Sequence, residues 1–356
     1  MPRPEADRPP NVGRPSTPKT LVGQYRSFAN GRFRANQLRR IFSTMQNLKA
    51  SPQLLRVGKS YQLRFVGAGD DVIAIGQDVV LWSLSQRRRL CSSHPFAHPG
   101  HVDISPSGAH AVIKNTAGQL AILSTDNLGI IATLPFDQAS EGGRAVYSPC
   151  GTQIIDTTWN GLLRLLDSST GELVHEELSD RVMIKSMACD SRRMLFAYVR
   201  QPKVADRVSR TPFSHVVTRS WPFVDHPEVE LSVGDHYVDV VSLSPDGSKL
   251  AVLQMNCSAE FSLKIVDLLE GSAIASRGVD PGGTNRSLAW SPDGSRLCCV
   301  EKGQLSVFDS TSLQYVSRHV DAYPCYVEFS PDGSRIAIGS WEKGIVMPID
   351  QLERVG

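Results

Sequence analysis

The chain has 356 residues, 38 Lys/Arg against 36 Asp/Glu, a formal net charge of +2 and a hydrophobic fraction of 41%. No stretch approaches the roughly 18 apolar residues of a membrane-spanning helix. The near-neutral total hides an asymmetry: the first fifty residues hold ten Lys/Arg and two acids, or +8, and the remainder carries −6.

Residues 1–33 read as a disordered, basic, Pro-rich tail, since the first twenty hold six prolines and almost no apolar anchors. Residues 34–50 read as a short amphipathic helix. Leu38, Ile41, Phe42, Met45 and Leu48 make one apolar stripe, and Arg34, Arg39, Arg40 and Lys49 occupy the other faces. Such a helix docks on a neighbouring domain, or meets a partner, a nucleic acid or an anionic membrane. Arg32, Arg34, Arg39 and Arg40 are the candidate polyanion contacts. No apolar leader follows the start, so a cytoplasmic location is expected. Seven scattered cysteines without a Cys-x-x-Cys pair fit reduced, mostly buried thiols.

From residue 51 onward the chain repeats. Ser244-Pro245-Asp246-Gly247 recurs at Ser291–Gly294 and Ser330–Gly333, with variants at Ser105–Gly108 and Ser148–Gly151. Each sits between two apolar runs. Pro presets φ, Asp accepts from the backbone and Gly takes φ > 0, so each motif is a strand–turn–strand signal. A second feature keeps the same period: an apolar strand ends at Trp82-Ser83, Leu123-Ser124, Leu166-Asp167, Val266-Asp267, Phe308-Asp309 and Ile349-Asp350. Their spacings are 41, 43, 100, 42 and 41 residues, the long gap holding two units and an insertion. A strand-rich unit of about 40 residues predicts an all-β, seven-bladed β-propeller over residues 51–356. Ile349-Asp350 leaves the seventh unit one strand short, and Leu54–Val57 is expected to supply that strand and close the ring.

These repeats resemble the WD-repeat β-propeller family, with some likeness to TolB-type propeller repeats, over about Leu54–Asp350. Ile154–Leu173 looks like the second half of a WD repeat. His319, Ser340 and Glu342 fall near that family's His, Ser/Thr and Asp positions, and Trp82 alone stands at its Trp position. The resemblance implies a non-catalytic protein–protein interaction module or scaffold.

Unit four is irregular. Arg200–Phe213 reads as an inserted loop carrying Arg200, Lys203, Arg207 and Arg210. Catalytic and phosphate-binding motifs are missing from the sequence, and no cofactor is expected. His94, His98 and His101 are weak candidates for a metal, and His175-Glu176-Glu177 reads as solvated surface. Asp103, Asp239 and Glu328 lie on expected inner strands. Their convergence on the axis would favour a hydrolase- or lactonase-like propeller enzyme with a metal at the central mouth. The loops between units and the middle hairpins should open on one face. Trp159, Asn160, His236, Tyr237, Arg286, Tyr323, Trp341 and Glu342 are the candidate partner-binding residues there. Nucleic-acid binding through the basic arm is a weaker reading, with a steep salt dependence.

Overall fold

The computed structural model describes residues 54–134, 142, 144–179, 182–190, 194–202, 214–222, 228–231, 237–281, 286–320 and 323–354. The tail, the expected helix and the basic-arm arginines lie outside that set, as do Lys203, Arg207, Arg210 and His236.

Seven antiparallel sheets form the seven blades of a β-propeller. In six of the blades the strands pair in chain order. The inner strands are Gln62–Val66, Pro99–Ile104, Ala145–Tyr147, Val182–Asp190, Tyr237–Leu243, Leu288–Trp290 and Pro324–Phe329. Neighbouring inner strands pack on one another around the ring, and the last packs on the first. The second and third strands are nearly all buried, whereas outer strands such as Arg88–Ser93 and Leu173–Leu178 are largely exposed. The core therefore lies between blades, as in the cluster joining Ile73 and Leu81 of blade one to Val102, Ile113 and Leu123 of blade two.

The Ser-Pro-Asp-Gly turns show why the tetrapeptide repeats. In Ser330–Gly333 the serine hydroxyl donates to Asp332 Oδ1 at 2.5 Å, the Ser334 N–H donates to the same oxygen at 3.0 Å, and the Gly333 N–H donates to the Ser330 carbonyl at 2.8 Å. These donors hold the Asp332 carboxyl down at about 2. Gly333 has φ +70, and a Cβ there would lie 3.4 Å from Pro292 Cδ in the preceding blade's turn. The motif thus bends the chain and also packs against the next copy of itself. At the end of the third strand, on the same edge of the blade as these turns, the Asp309 carboxylate accepts the N–H groups of Thr311 and Ser312 at 3.0 and 2.8 Å. That explains the acid at the second repeating position.

Blade seven is completed from the other end of the sequence. Leu55 pairs with Val346 and Arg56 with Ile345. Leu54, Leu55 and Val57 are buried. A short strand, Glu353–Arg354, pairs with Ser317 and Arg318 on the outer strand of blade six and makes that sheet five-stranded. Its two residues carry no repeat signal, so the sequence gives no hint of it.

Blade four corrects two expectations. The second strand runs through Leu195–Pro202, so Arg200 is a strand residue and not part of an inserted loop. It pairs with His215, and its guanidinium lies 3.0 Å from Glu228 on the outer side of the same blade. Glu177, expected in open solvent, bridges blades instead: it accepts from Arg219 at 2.9 Å and lies 3.1 Å from His175. The thiols are also more varied than expected. Cys298, Cys299 and Cys325 are buried, while Cys150 and Cys257 are exposed.

The closing strand has a measurable consequence. A chain lacking residues 1–57 should melt at least about 5 °C below one lacking residues 1–53, because three buried apolar side chains and the pairing with blade seven go with it. Equal melting temperatures by calorimetry would refute this account of closure.

Candidate functional site at the central mouth

An inner strand pairs on one side only, so its other edge carries backbone N–H groups that need acceptors. In this chain polar side chains on the preceding inner strand supply them. Gln62 accepts from the Val102 N–H at 3.1 Å and donates to the Val102 carbonyl at 2.9 Å. Asp103 accepts from Tyr147 N–H at 2.8 Å, Ser186 from Val241 at 3.2 Å, Ser287 from Val327 at 3.3 Å, and Glu328 from Phe65 at 3.1 Å. Every joint runs in the same sense around the ring, from one blade to the next.

Side chains two apart on one strand share a face. The inner strands therefore put two layers of polar groups on the axis. In the deeper layer Arg64 lies 3.0 Å from both Asp103 and Glu328, and donates to the Tyr326 hydroxyl at 3.4 Å. Together these groups hold two carboxylates against one guanidinium. Burial accordingly pushes Glu328 up to about 7, against the downward pull of Arg64, and also raises Asp103.

The layer nearer the mouth is cationic. Arg144, Lys185 and Arg286 line a space of about 230 Å³ with Tyr61, Trp159 and Tyr326. Lys185 and Arg286 both contact the Asp239 carboxylate. Lys114, also on this lining, is fully buried against Asp156, which Arg164 holds from its other side. A second space of about 320 Å³ continues from the first, sharing Gln62, His101, Arg144 and Tyr326. His101 faces both, and its Nδ1 is buried with no hydrogen-bond partner. Burial, with Arg144, Arg64 and Lys114 nearby, keeps this imidazole neutral, well below its usual range.

The sequence candidates fall around this mouth. Trp159 and Arg286 line it directly. The Lys185 ammonium sits over the Tyr237 ring at 4.7 Å. Trp341 packs against the lining residue Tyr61 with ring centroids 4.5 Å apart and planes tilted by 52°, and its backbone N–H donates to the Tyr323 carbonyl at 3.3 Å. Trp159 and Trp341 are each 44% exposed and Tyr323 57%. Asn160 and Glu342 are exposed beside the two tryptophans.

The metal candidates do not come together. His94 is an exposed partner of Asp78 at 2.9 Å, whereas His101 points to the axis. Among the described residues no group of three His, Cys, Asp or Glu forms a metal cradle. Asp103, Asp239 and Glu328 do reach the axis, but each is neutralised by Arg or Lys. Lys185 and Arg144 escaped singling out by sequence, because one charged residue in a short strand does not say which side of the blade it faces. Tyr326 had a usable signal: Tyr326-Val327-Glu328-Phe329 alternates polar and apolar, as do Gln62–Phe65 and His101–Ile104.

No family model matches the sequence, and no curated protein sequence matches it. Solved structures do match the fold. A chain of Kuenenia stuttgartiensis hydrazine synthase superposes with a TM-score of 0.64 at 13% identity, covering 82% of this chain and 96% of that one. The β-propeller domain of Myceliophteria thermophila Cps50 (Swd1) gives 0.65 at 11% identity, covering 83% and 99%. At such identities the likeness is one of fold. Among the described residues no helix is long and apolar enough to cross a membrane.

The deeper layer predicts a pH response. Glu328 sits at about 7 in the folded chain and at about 4.5 when unfolded, so the folded state holds the proton more tightly. Its contribution to stability is complete below about pH 4.5 and is lost as pH rises through about 7. Urea unfolding across that window should show the parent losing stability relative to Glu328→Gln as pH rises, the opposite contribution of the neutral His101 being common to both proteins. A variant whose pH profile parallels the parent's would refute the assignment.

Proposed function

We propose that this chain is a binding module whose loop-rich face engages a protein partner. The observation that carries the reading is the set of half-exposed aromatics, Trp159, Tyr323 and Trp341, held at the edge of a concave, polar mouth. Large planar side chains on rigid loops lose little entropy on binding and bury much apolar area, which is the composition of interface hot spots. Tyr61 against Trp341 and Lys185 over Tyr237 hold two of the rings at this face before any partner arrives, which lowers the ordering cost. The resemblance of the repeats to the WD-repeat family points the same way. The carboxylates that an axial metal enzyme would need are engaged as blade joints and ion pairs, and this argues against the catalytic alternative.

The experiment is crosslinking and affinity purification from the native cell, followed by titration of the purified partner. Trp341→Ala and Trp159→Ala should each weaken binding by roughly 1–4 kcal/mol, while Leu269→Ala, an exposed change between outer strands, should leave it unchanged. Full affinity in both tryptophan variants would overturn the assignment of this face.

A further inference from the structure

Among the described residues, the cations lining the mouth outnumber the acids that they contact. Lys185 and Arg286 share Asp239, and Lys114 and Arg164 share Asp156. Each trio keeps one positive charge in excess. Arg144 adds another. Its guanidinium is half-buried on the wall common to both axial spaces, and among the described residues its side chain has no carboxylate or hydrogen-bond partner. Next to it the buried His101 Nδ1 is unpaired.

An unpaired cation in a concave, partly desolvated site is unfavourable, and burial lowers the Arg144 pKa against the upward pull of the Tyr326 phenol. Buried polar groups are nearly always satisfied; on this wall the buried His101 Nδ1 and Arg286 Nε lack partners, and the Arg144 guanidinium opens onto the cavity where a partner would sit. Guanidinium presents two parallel N–H donors that match the two oxygens of a carboxylate or a phosphoryl group. The space of about 230 Å³ admits such a group with a few attached atoms, and the aromatic walls of Tyr61, Trp159 and Tyr326 suit its apolar stem.

We propose that the central mouth is an oxyanion socket, in which Arg144 grips a carboxylate or phosphoryl group inside the positive field of Lys185 and Arg286. The group is a free small anion or an acidic or phosphorylated side chain of the partner. The second case rests on the reading of this face as a protein-binding surface.

The test uses the full chain at low ionic strength. Inorganic phosphate and succinate are titrated by calorimetry, beside paired peptides containing Asp, Glu or phosphoserine and their Asn, Gln or Ser counterparts. The socket predicts one site, weakened at least tenfold in Arg144→Gln, partly retained in Arg144→Lys and unchanged in Arg88→Gln on an outer strand. Thermal melts establish that each variant is folded. Should Arg144→Gln be unstable, Lys185→Gln serves in its place, with an expected loss of at least threefold. Saturation by phosphate or succinate alone identifies a free anion as sufficient. Binding of acidic peptides only identifies a partner side chain. Failure of every probe to bind, or equal binding by the parent and Arg144→Gln, would overturn the socket. The two readings separate cleanly. A partner lost in Trp341→Ala but kept in Arg144→Gln leaves the face and removes the partner's side chain as the socket's occupant. Phosphate binding lost in Arg144→Gln, with partner affinity unaffected by either tryptophan, does the reverse.

Discussion

The exposed edge of each inner strand is the constraint on which this ring depends. A sheet edge offers unpaired N–H groups, and seven such edges meet at the axis. Here the answer is a polar side chain on each joined strand that accepts the N–H of the next blade: Gln62 to Val102, Asp103 to Tyr147, Ser186 to Val241, Ser287 to Val327, Glu328 to Phe65. The last of these joins blade seven to blade one, across the seam where the ring closes. Removing one acceptor leaves a buried donor unsatisfied, at a cost of about 1–3 kcal/mol.

That solution fixes the electrostatics of the axis. Acids recruited as joints need cations, and Arg64 serves two of them. Nearer the mouth the balance among the described residues reverses, with Arg144, Lys185 and Arg286 against Asp239 on the same wall. The channel is thus graded, acidic and proton-retaining in its depth, basic at its opening. Field lines in a narrow, low-dielectric passage are focused, so a graded channel of this kind draws anions to one end.

Much of the architecture was legible because its signals are short-range. Ser330-Pro331-Asp332-Gly333 bends the chain through contacts among five neighbouring residues, and those contacts need nothing from the rest of the fold. Asp309 reports a turn in the same way. The shortfall of one strand in unit seven was also arithmetic. What the sequence hid depends on long-range placement. Arg200 looked like a loop residue by its charged company, yet the ladder to His215 extends through it. Glu177 looked solvated until Arg219, 42 residues away, came to meet it. At the mouth, Trp341 and Trp159 were legible as loop aromatics. Arg144 was not, because its meaning lies in the absence of an acid that only the folded ring can reveal.

The pairing of Leu55–Arg56 with Ile345 and Val346 sets an order of events during synthesis. About 290 residues separate these partners, a contact order that makes closure slow relative to the local hairpins within each blade. This strand emerges from the ribosome long before its partner and must wait for the last blade. Until then blade one lacks its neighbour on one side, and Leu55, Val57, Leu63 and Phe65 remain uncovered. A nascent chain of six finished blades is therefore its most aggregation-prone form, with apolar surface open at both ends of an unclosed ring.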